Sequence, residues 1–492
     1  MRRSIRIRAA LAVLASAAAL GILAGGAAAK PSTTPQPQVS TDPSLFPTFN
    51  QSVSDYVVRC QPSNQVEVSV STPPNTKASV DGGPQRKGNF TETVSLNAGQ
   101  SFDVTFTAPR KTATKYFIRC LPSDFPAFTA SRNGSTQAEW YAVTPNLFSA
   151  PSGTSRQYAA FFDNNGVPVW WMKSSGSSVP LDAKLLPNGH VAWLRFFGSG
   201  GPTGAEEYTL SGSTVRTLDT VGSGADHHDI QLLPNGNYLI GRYFTRSGVD
   251  MSACGGSTSR NLIDNEIQEL TPSGAQVWSW RASDHIPFSE VTAAWESQCR
   301  TGSGDIYHWN SVEADGDGYV LSMRHEDAVY RIDRATGDID WKLGGESRPE
   351  SLRVVGDPLS SDSTFGGQHD ARVLADGTLT VHDNGSQRSR PPRAVRYAID
   401  ETANTATLRE DVRDPDARSS GCCGSTRRMP GGNWVSEWGA NPFVTELTGS
   451  GDRIFKLTFT DGGLFSYRAN PVLPGQLSRS ALRAGMDAQH PR

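Results

Sequence analysis

Three of the nine histidines in this 492-residue chain recur in one register. With a recurring Gly-containing turn as the ruler, His228, His308 and His369 each stand eight residues before a turn glycine, namely Gly236, Gly316 and Gly377. Arginine recurs six residues past the turn: Arg195 after Gly189, Arg242 after Gly236, and Arg324 after Gly318, once the extra residues of Gly316-Asp317-Gly318 are allowed for. The next two repeats carry Asp383 and Trp438 there. Two chemistries fit imidazoles grouped with guanidinium. Three histidines can hold a zinc ion, but no acidic ligand shares their register and an adjacent arginine would repel a dication. An anionic tetrahedral group uses every member, because guanidinium and protonated imidazole donate hydrogen bonds while one neutral imidazole serves as nucleophile. Taken singly each histidine could be structural, and repeats copied with a structural histidine would show the same phase. The repeats are otherwise too diverged for copying alone to account for it.

A repeat must bring these residues together. One element is an apolar strand, a polar Gly turn and a returning strand: Ala183 to Gly189, Ile230 to Gly236, Val312 to Gly316, Ala371 to Gly377 and Thr426 to Gly432. Its turn residues specify a hairpin. A second strand–turn–strand element, often ending in Trp, runs from Phe162 to Trp170 and starts again at Tyr208, Ile267, Val329, Val395 and Val444, making six. Two hairpins make a four-stranded sheet, and six such sheets bury their faces by stacking radially, so the expected fold is all-β, a six-bladed β-propeller. A linear stack would also cover the faces but would leave open edges. Equivalent positions on innermost strands converge on the axis, which predicts that the three imidazoles meet at one mouth of a channel. Asp229 and Asp370 each follow a histidine directly, so strand alternation turns them to the opposite side as turn or inter-blade hydrogen-bonding groups. Asn310 shares a face with His308 and is placed to donate to a ligand. His227 is an alternative to His228. His190, His285, His325 and His382 fall off the phase and read as ordinary surface or strand residues, and His490 lies in a polar tail. Trp295, Trp309 and Phe365 could stack on an aromatic ligand or simply fill the core.

Composition agrees with a soluble, turn-rich β protein: 48 Gly, 31 Pro, 37% hydrophobic and 19% charged residues. The net charge of −3 gives no basic field, so nucleic acid is not the expected partner and any anion site is local. Residues 1–29 combine Arg2, Arg3, Arg6 and Arg8 with an apolar run and a closing Ala27-Ala28-Ala29, the pattern of a cleaved secretory signal, or else of a retained anchor. No integral span is expected after cleavage. Residues 30–42 read as a Pro/Ser/Thr-rich linker, 43–127 as a small β-sandwich, 128–475 as the propeller and 476–492 as a C-terminal tail. Six cysteines in an exported chain favour disulfides. The near-copies Tyr56-Val57-Val58-Arg59-Cys60 and Tyr116-Phe117-Ile118-Arg119-Cys120 suggest Cys60–Cys120. The insertions 246–262 and 284–305 suggest Cys254–Cys299 and a tethered lid, leaving Cys422 and Cys423 to each other or to a loop neighbour. No Cys/His spacing marks a structural zinc.

The segments His227-His228-Asp229-Ile230, Asp305-Ile306-Tyr307-His308-Trp309-Asn310-Ser311-Val312, Leu321-Ser322-Met323-Arg324, Trp341-Lys342-Leu343-Gly344-Gly345 and Gln368-His369-Asp370-Ala371-Arg372 resemble the bacterial arylsulfotransferase family over about residues 128–475. The resemblance implies a secreted or extracytoplasmic enzyme moving a sulfuryl group from a phenolic sulfate to a phenol, with no nucleotide sulfate donor, cofactor or metal. It implies His369 as the nucleophile that is transiently sulfated, and His228, His308 and Arg324 as groups that bind the sulfuryl oxygens and assist the leaving phenol. Asn310, Arg242 and His227 are then expected as substrate-binding residues. In this reading His369 is neutral while its neighbours are charged. A metal-dependent propeller hydrolase or lyase and a non-catalytic anion-binding protein are the alternatives.

Overall fold

The computed structural model describes residues 35–60, 63–146, 157–174, 178–196, 204–222, 224–361 and 363–492. The expected signal segment 1–29 lies outside the described residues.

Two small sheets come first. Gln38–Asp42, Gln65–Ser71 and Asn89–Ser95 form one, and Asp55–Arg59, Thr114–Leu121, Ser101–Thr107 and Lys77–Val80 form the other. Strict alternation in Gln65–Ser71 sends Val66, Val68 and Val70 inward against Val104, Phe106 and Ile118. The near-copy segments run side by side in parallel, Val58 opposite Cys120, and Cys60 is bonded to Cys120. Gln38–Asp42 was expected in a linker on composition. It is an edge strand in full register with Glu67–Ser71, because Val39 is buried there and offsets the cost of ordering the segment.

Six further sheets of four or five strands follow, all paired antiparallel apart from one short added strand, Arg353–Val355. Their first strands are Val179–Leu185, Ala225–Leu232, Trp309–Asp315, His369–Val373 and Ser425–Arg428, and each leads into the hairpin marked by a turn glycine. Gly236 and Gly377 have φ of 85° and 76°, the left-handed conformation these tight turns require. The remaining sheet joins the two ends of this region: Phe465–Val472 pairs with Trp140–Asn146. Phe465–Val472 also adjoins both Val179–Leu185 and Ser425–Arg428, and each first strand adjoins the next, so the six follow one another in a circuit. The all-β architecture is consistent with a β-propeller.

The six first strands share one axial cluster of charge. Arg468, fully buried, lies 2.8 Å from Asp182, 3.2 Å from Asp229 and 3.4 Å from Asp370. Arg372 reaches Asp229 at 2.7 Å, Asp370 at 3.0 Å and Glu313 at 3.1 Å. Lys184 bridges Asp182 and Asp229. Asp229 also accepts the Val312 N–H, and Asp370 the Thr426 N–H, each from the following sheet. These are the inter-sheet bonds that strand alternation predicted for the two aspartates. Burial pulls the Asp229 carboxyl up, but Arg372, Lys184 and Arg468 together hold it well below the usual range.

The C-terminal tail is also ordered. Ser478 caps a helix over Arg479–Gln489 by accepting from the Ala481 N–H. Its Arg479 bridges Asp55 of the N-terminal module and Asp163 of the ring, while Arg483 lies 2.7 Å from Asp55. Residues 476–492 therefore clamp the two parts together, a role hidden by their polar composition. The expected Cys60–Cys120 and Cys254–Cys299 disulfides are present, and of the two alternatives for the adjacent pair, Cys422 is bonded to Cys423. No helix among the described residues is long and apolar enough to cross a membrane.

Replacing Arg468 by Met leaves Asp182, Asp229 and Asp370 under-compensated in the interior. The expected loss is about 3–5 kcal/mol, read as a lower urea midpoint at pH 7. Because Asp182 and Asp229 are depressed, the wild-type advantage is full above about pH 4, the unfolded carboxylate range, and declines as pH falls further.

Candidate active site

His369 begins its first strand and His308 just precedes the one before it, whereas His228 lies within Ala225–Leu232, its fourth residue. The His228 and His308 rings lie 4.8 Å apart, edge to face. Arg324 follows the second strand of the same sheet as His308, and its main-chain N–H donates to the His308 carbonyl at 2.7 Å. The repeat phase thus brings His228, His308 and Arg324 to one place, and the charge of Arg324 and the His308 ring both act on His369.

Each imidazole is held by Nδ1. His228 Nδ1 bonds Asp226 at 2.6 Å and His308 Nδ1 bonds Asp305 at 2.7 Å, which leaves Nε2 of each as the atom available to a ligand. His369 is buried and lies 2.8 Å from Asn384 Oδ1 and 3.0 Å from the Gly367 carbonyl through Nδ1. The Asn384 amide nitrogen donates to the Cys423 carbonyl at 2.9 Å, so its oxygen must face the histidine. Nδ1 therefore carries the proton and Nε2 the lone pair, which accepts the Cys423 N–H at 3.1 Å. Burial, then Arg324, holds the His369 imidazole well below its usual range. Neutral Nε2 is the form a nucleophile requires.

The structure corrects several expectations. The neighbours were expected to be charged, yet burial and then His228 and Arg324 also push His308 well below the imidazole range. In the ligand-free site Arg324 is the cation. Acidic partners were not expected, yet Asp226 and Asp305 orient two histidines. They precede the strand phase, and bulges between Ala225 and Ile230 and between Trp309 and Ser311 break the alternation used to search for them. The first bulge also stacks His227 on His228 at 4.3 Å, where burial and His228 push it down to about 4.

Asn310 sits at the second bulge and is turned into the neighbouring sheet. Its amide donates to the Gln368 carbonyl at 2.8 Å and accepts the Asp370 N–H at 3.3 Å, so it ties strands together instead of facing a ligand. Arg242 gives Nε and Nη2 to Glu266 and lies over Phe244, with no hydrogen bond to the three histidines among the described residues. His325, set aside as off phase, belongs to the site: its Nε2 accepts from Arg324 Nη1 at 2.8 Å and its ring lies 4.8 Å from His308. His382 remains a buried strand residue paired in register with His369.

The 284–305 insertion contributes Asp305 and Trp295, whose ring lies 4.2 Å beneath the Arg324 guanidinium. It is tied down by the Cys254–Cys299 disulfide, by a buried Lys342–Glu290 pair at 2.5 Å, and by Asp327, which accepts from Thr292 and Trp295. Trp309 and Phe365 are core residues. Arg324 sends Nη2 to the Gly421 carbonyl at 2.9 Å, while its Nε is buried with no partner among the described residues. Oriented Nε2 atoms, one fixed cation and an unmatched buried donor are thus gathered beside the neutral imidazole of His369.

A family model described as Arylsulfotransferase (ASST) matches residues 133–454. The chain belongs to the arylsulfotransferase family. Membership supports transferase activity on small phenolic substrates in general terms. No curated protein matches. Among solved structures the chain is similar to a protein of unknown function from Bacteroides caccae, at 12% identity over 68% of this chain and 99% of that one, TM-score 0.42. It is also similar to apo AztD from Citrobacter koseri, at 12% identity over 67% and 98%, TM-score 0.32. The disulfides and the family are compatible with an extracytoplasmic location.

The tautomer lock and burial predict a protonation behaviour independent of substrate. In a histidine-labelled chain, with His369→Ala for assignment, the His369 ring resonances stay unchanged from pH 8 down through the ordinary midpoint of about 6.5. A midpoint near that value would mean a solvated, unconstrained ring.

Proposed function

We propose that this arylsulfotransferase moves a sulfuryl group from a phenolic sulfate ester to a phenolic acceptor through a transient sulfohistidine at His369. The reading assigns residues 128–475 to a six-bladed propeller, 43–127 to a small β-sandwich and 1–29 to an export signal. The observation that carries it is the Nδ1 lock from Asn384 and Gly367, which leaves a neutral Nε2 beside Arg324.

In the first half-reaction the Nε2 lone pair forms a bond to sulfur and the bond from sulfur to the aryl oxygen breaks, its electron pair leaving with the phenolate. In the second, the acceptor oxygen attacks sulfur, the Nε2–S bond breaks and the acceptor's proton passes to a neighbouring imidazole or to water. Charge spreads over the equatorial oxygens in passage, by analogy with phosphoryl transfer, so fixed donors supply much of the acceleration. Arg324 and the Nε2 atoms of His228 and His308 are those donors. An arriving sulfate ester raises the proton affinity of the His308 imidazole, which burial otherwise holds low, so it gains its proton when an anion is there to receive it.

A cation-dependent reading has one observation in its favour. Asp226 with His227 and His228, and Asp305 with His308 and His325, each cluster their ligand atoms within 4.8 Å. Arg324 beside the second group and the carboxylates' use of Nδ1 favour the anion reading.

Release of nitrophenolate from 4-nitrophenyl sulfate decides between them. The expected result is phenol-stimulated, chelator-resistant release that falls by about 10⁴-fold or more in His369→Ala. Release abolished by chelator would assign the histidines to a metal, and binding without turnover would leave a non-catalytic anion receptor.

A further inference from the structure

The repeat phase continues past the histidines. Eight residues before the next turn glycine, Gly432, stands Gly424, which has no side chain to offer. Main chain fills the position instead. The Gly424 N–H is taken by the Tyr467 carbonyl at 3.0 Å, and the preceding N–H, that of buried Cys423, donates to His369 Nε2 at 3.1 Å. This is the atom whose lone pair must attack sulfur.

The same short loop contacts Asn384 and Arg324, two of the groups that prepare His369. The Cys423 carbonyl and the Ser420 hydroxyl both accept from Asn384 Nδ2, at 2.9 Å and 2.5 Å. The Gly421 carbonyl accepts from Arg324 at 2.9 Å. Two features hold the loop there. Cys423 adopts φ of 66° and Gly424 φ of 97°, the first unusual for a residue with a side chain. Cys422 and Cys423 are disulfide-bonded to each other, which closes a small ring across their peptide bond and restricts its neighbouring torsions. Gly424 packs so closely on the His382 ring that an added Cβ would come within 2.4 Å of it.

We propose that the Cys422–Cys423 disulfide is a positioning element for transfer, fixing the Cys423 amide so that it caps Nε2 in the empty enzyme and then donates to the sulfuryl group. The role rests on His369 as the sulfuryl acceptor. As the Nε2–S bond forms, the lone pair that accepted the amide hydrogen is consumed and a negatively charged sulfuryl oxygen arrives beside it. The N–H passes from nitrogen to oxygen with little movement. A donor fixed in advance at that point acts as an oxyanion-hole amide does. A dithiol would undo the arrangement: the S–S bond breaks, both sulfurs gain protons, and the dithiol is oxidised to its own disulfide. The opened ring frees the 422–423 peptide and the amide loses its place.

The test compares the purified chain with the Cys422→Ser/Cys423→Ser double variant, which leaves the other two disulfides intact. With 4-nitrophenyl sulfate and phenol, the variant is expected to lose about 10²-fold in kcat with donor KM within about threefold. Loss of the amide donor to neutral Nε2 should also raise the His369 titration midpoint, a signature that general loosening of the fold away from the site would not produce. Unchanged kcat, or a lower kcat with an unchanged midpoint, overturns the proposal. Absence of transfer by the wild-type chain would defeat the sulfuryl-transfer reading, and a raised midpoint in the variant would still establish the amide's hold on His369.

Discussion

Everything at the active site depends on the buried contact of Arg468 with Asp182, Asp229 and Asp370. The arginine comes from the final strand of the ring, and the carboxylates from three others. A buried charge of this kind is satisfied in one arrangement only, because displacing any strand would strand an ion in a medium that solvates it poorly. The cluster therefore sets the relative height and rotation of the first strands. Asp229 and Asp370 immediately follow His228 and His369 in the chain. Whatever places the aspartates in the shared charge cluster also places the histidines one residue away from it. The geometry of the candidate site is thus inherited from a structural constraint, and the histidines need few contacts of their own to be brought together.

Few contacts is not none, and the site is finished by elements outside the repeat. Trp295 and Asp305 come from an insertion, and the Cys423 amide comes from a loop closed by a disulfide. Both are covalently stapled, by Cys254–Cys299 and Cys422–Cys423. Irregular backbone pays a larger entropy cost for being ordered than a strand held by its ladder. The extra bonds stand where that cost is highest and where small displacements would matter most to Arg324 and His369.

The sequence showed the architecture well and the supporting residues poorly, for the same reason. Turn glycines and alternating strands report on regular backbone, and from them the repeated hairpins, the shared phase of His228, His308 and His369, and the turn of Asp229 and Asp370 to the side opposite their histidines could be read. Bulges carry no such mark. At the two near His228 and His308 the alternation fails, which hid Asp226 and Asp305 although each lies within three residues of its histidine. It also misdirected Asn310, whose amide serves Gln368 and Asp370. His325 escaped because it follows Arg324 after the strand has ended, and Asn384 because tautomer control depends on a contact 15 residues away across a hairpin. The ordered tail was illegible for another reason: its affinity for Asp55 and Asp163 is a property of the folded surface, absent from any local pattern.

The charge state of the empty site gives these arrangements their sense. Were the imidazoles protonated at rest, their mutual repulsion beside Arg324 would oppose folding, and His369 could not act as a nucleophile. Burial keeps His308 and His369 neutral, leaving Arg324 as the cation, with a buried Nε still to be matched. In the proposed reaction an incoming sulfate ester supplies negative charge that favours protonation of His308, and Asp305, already on Nδ1, stabilises the imidazolium as it forms without moving. His369 has no carboxylate on its Nδ1, only the neutral oxygens of Asn384 and Gly367, so it gains the least from protonation and keeps its lone pair. In the proposed reaction, the carboxylates behind His228 and His308 and the amide behind His369 are what divide three otherwise similar imidazoles into hydrogen-bond donors and a nucleophile.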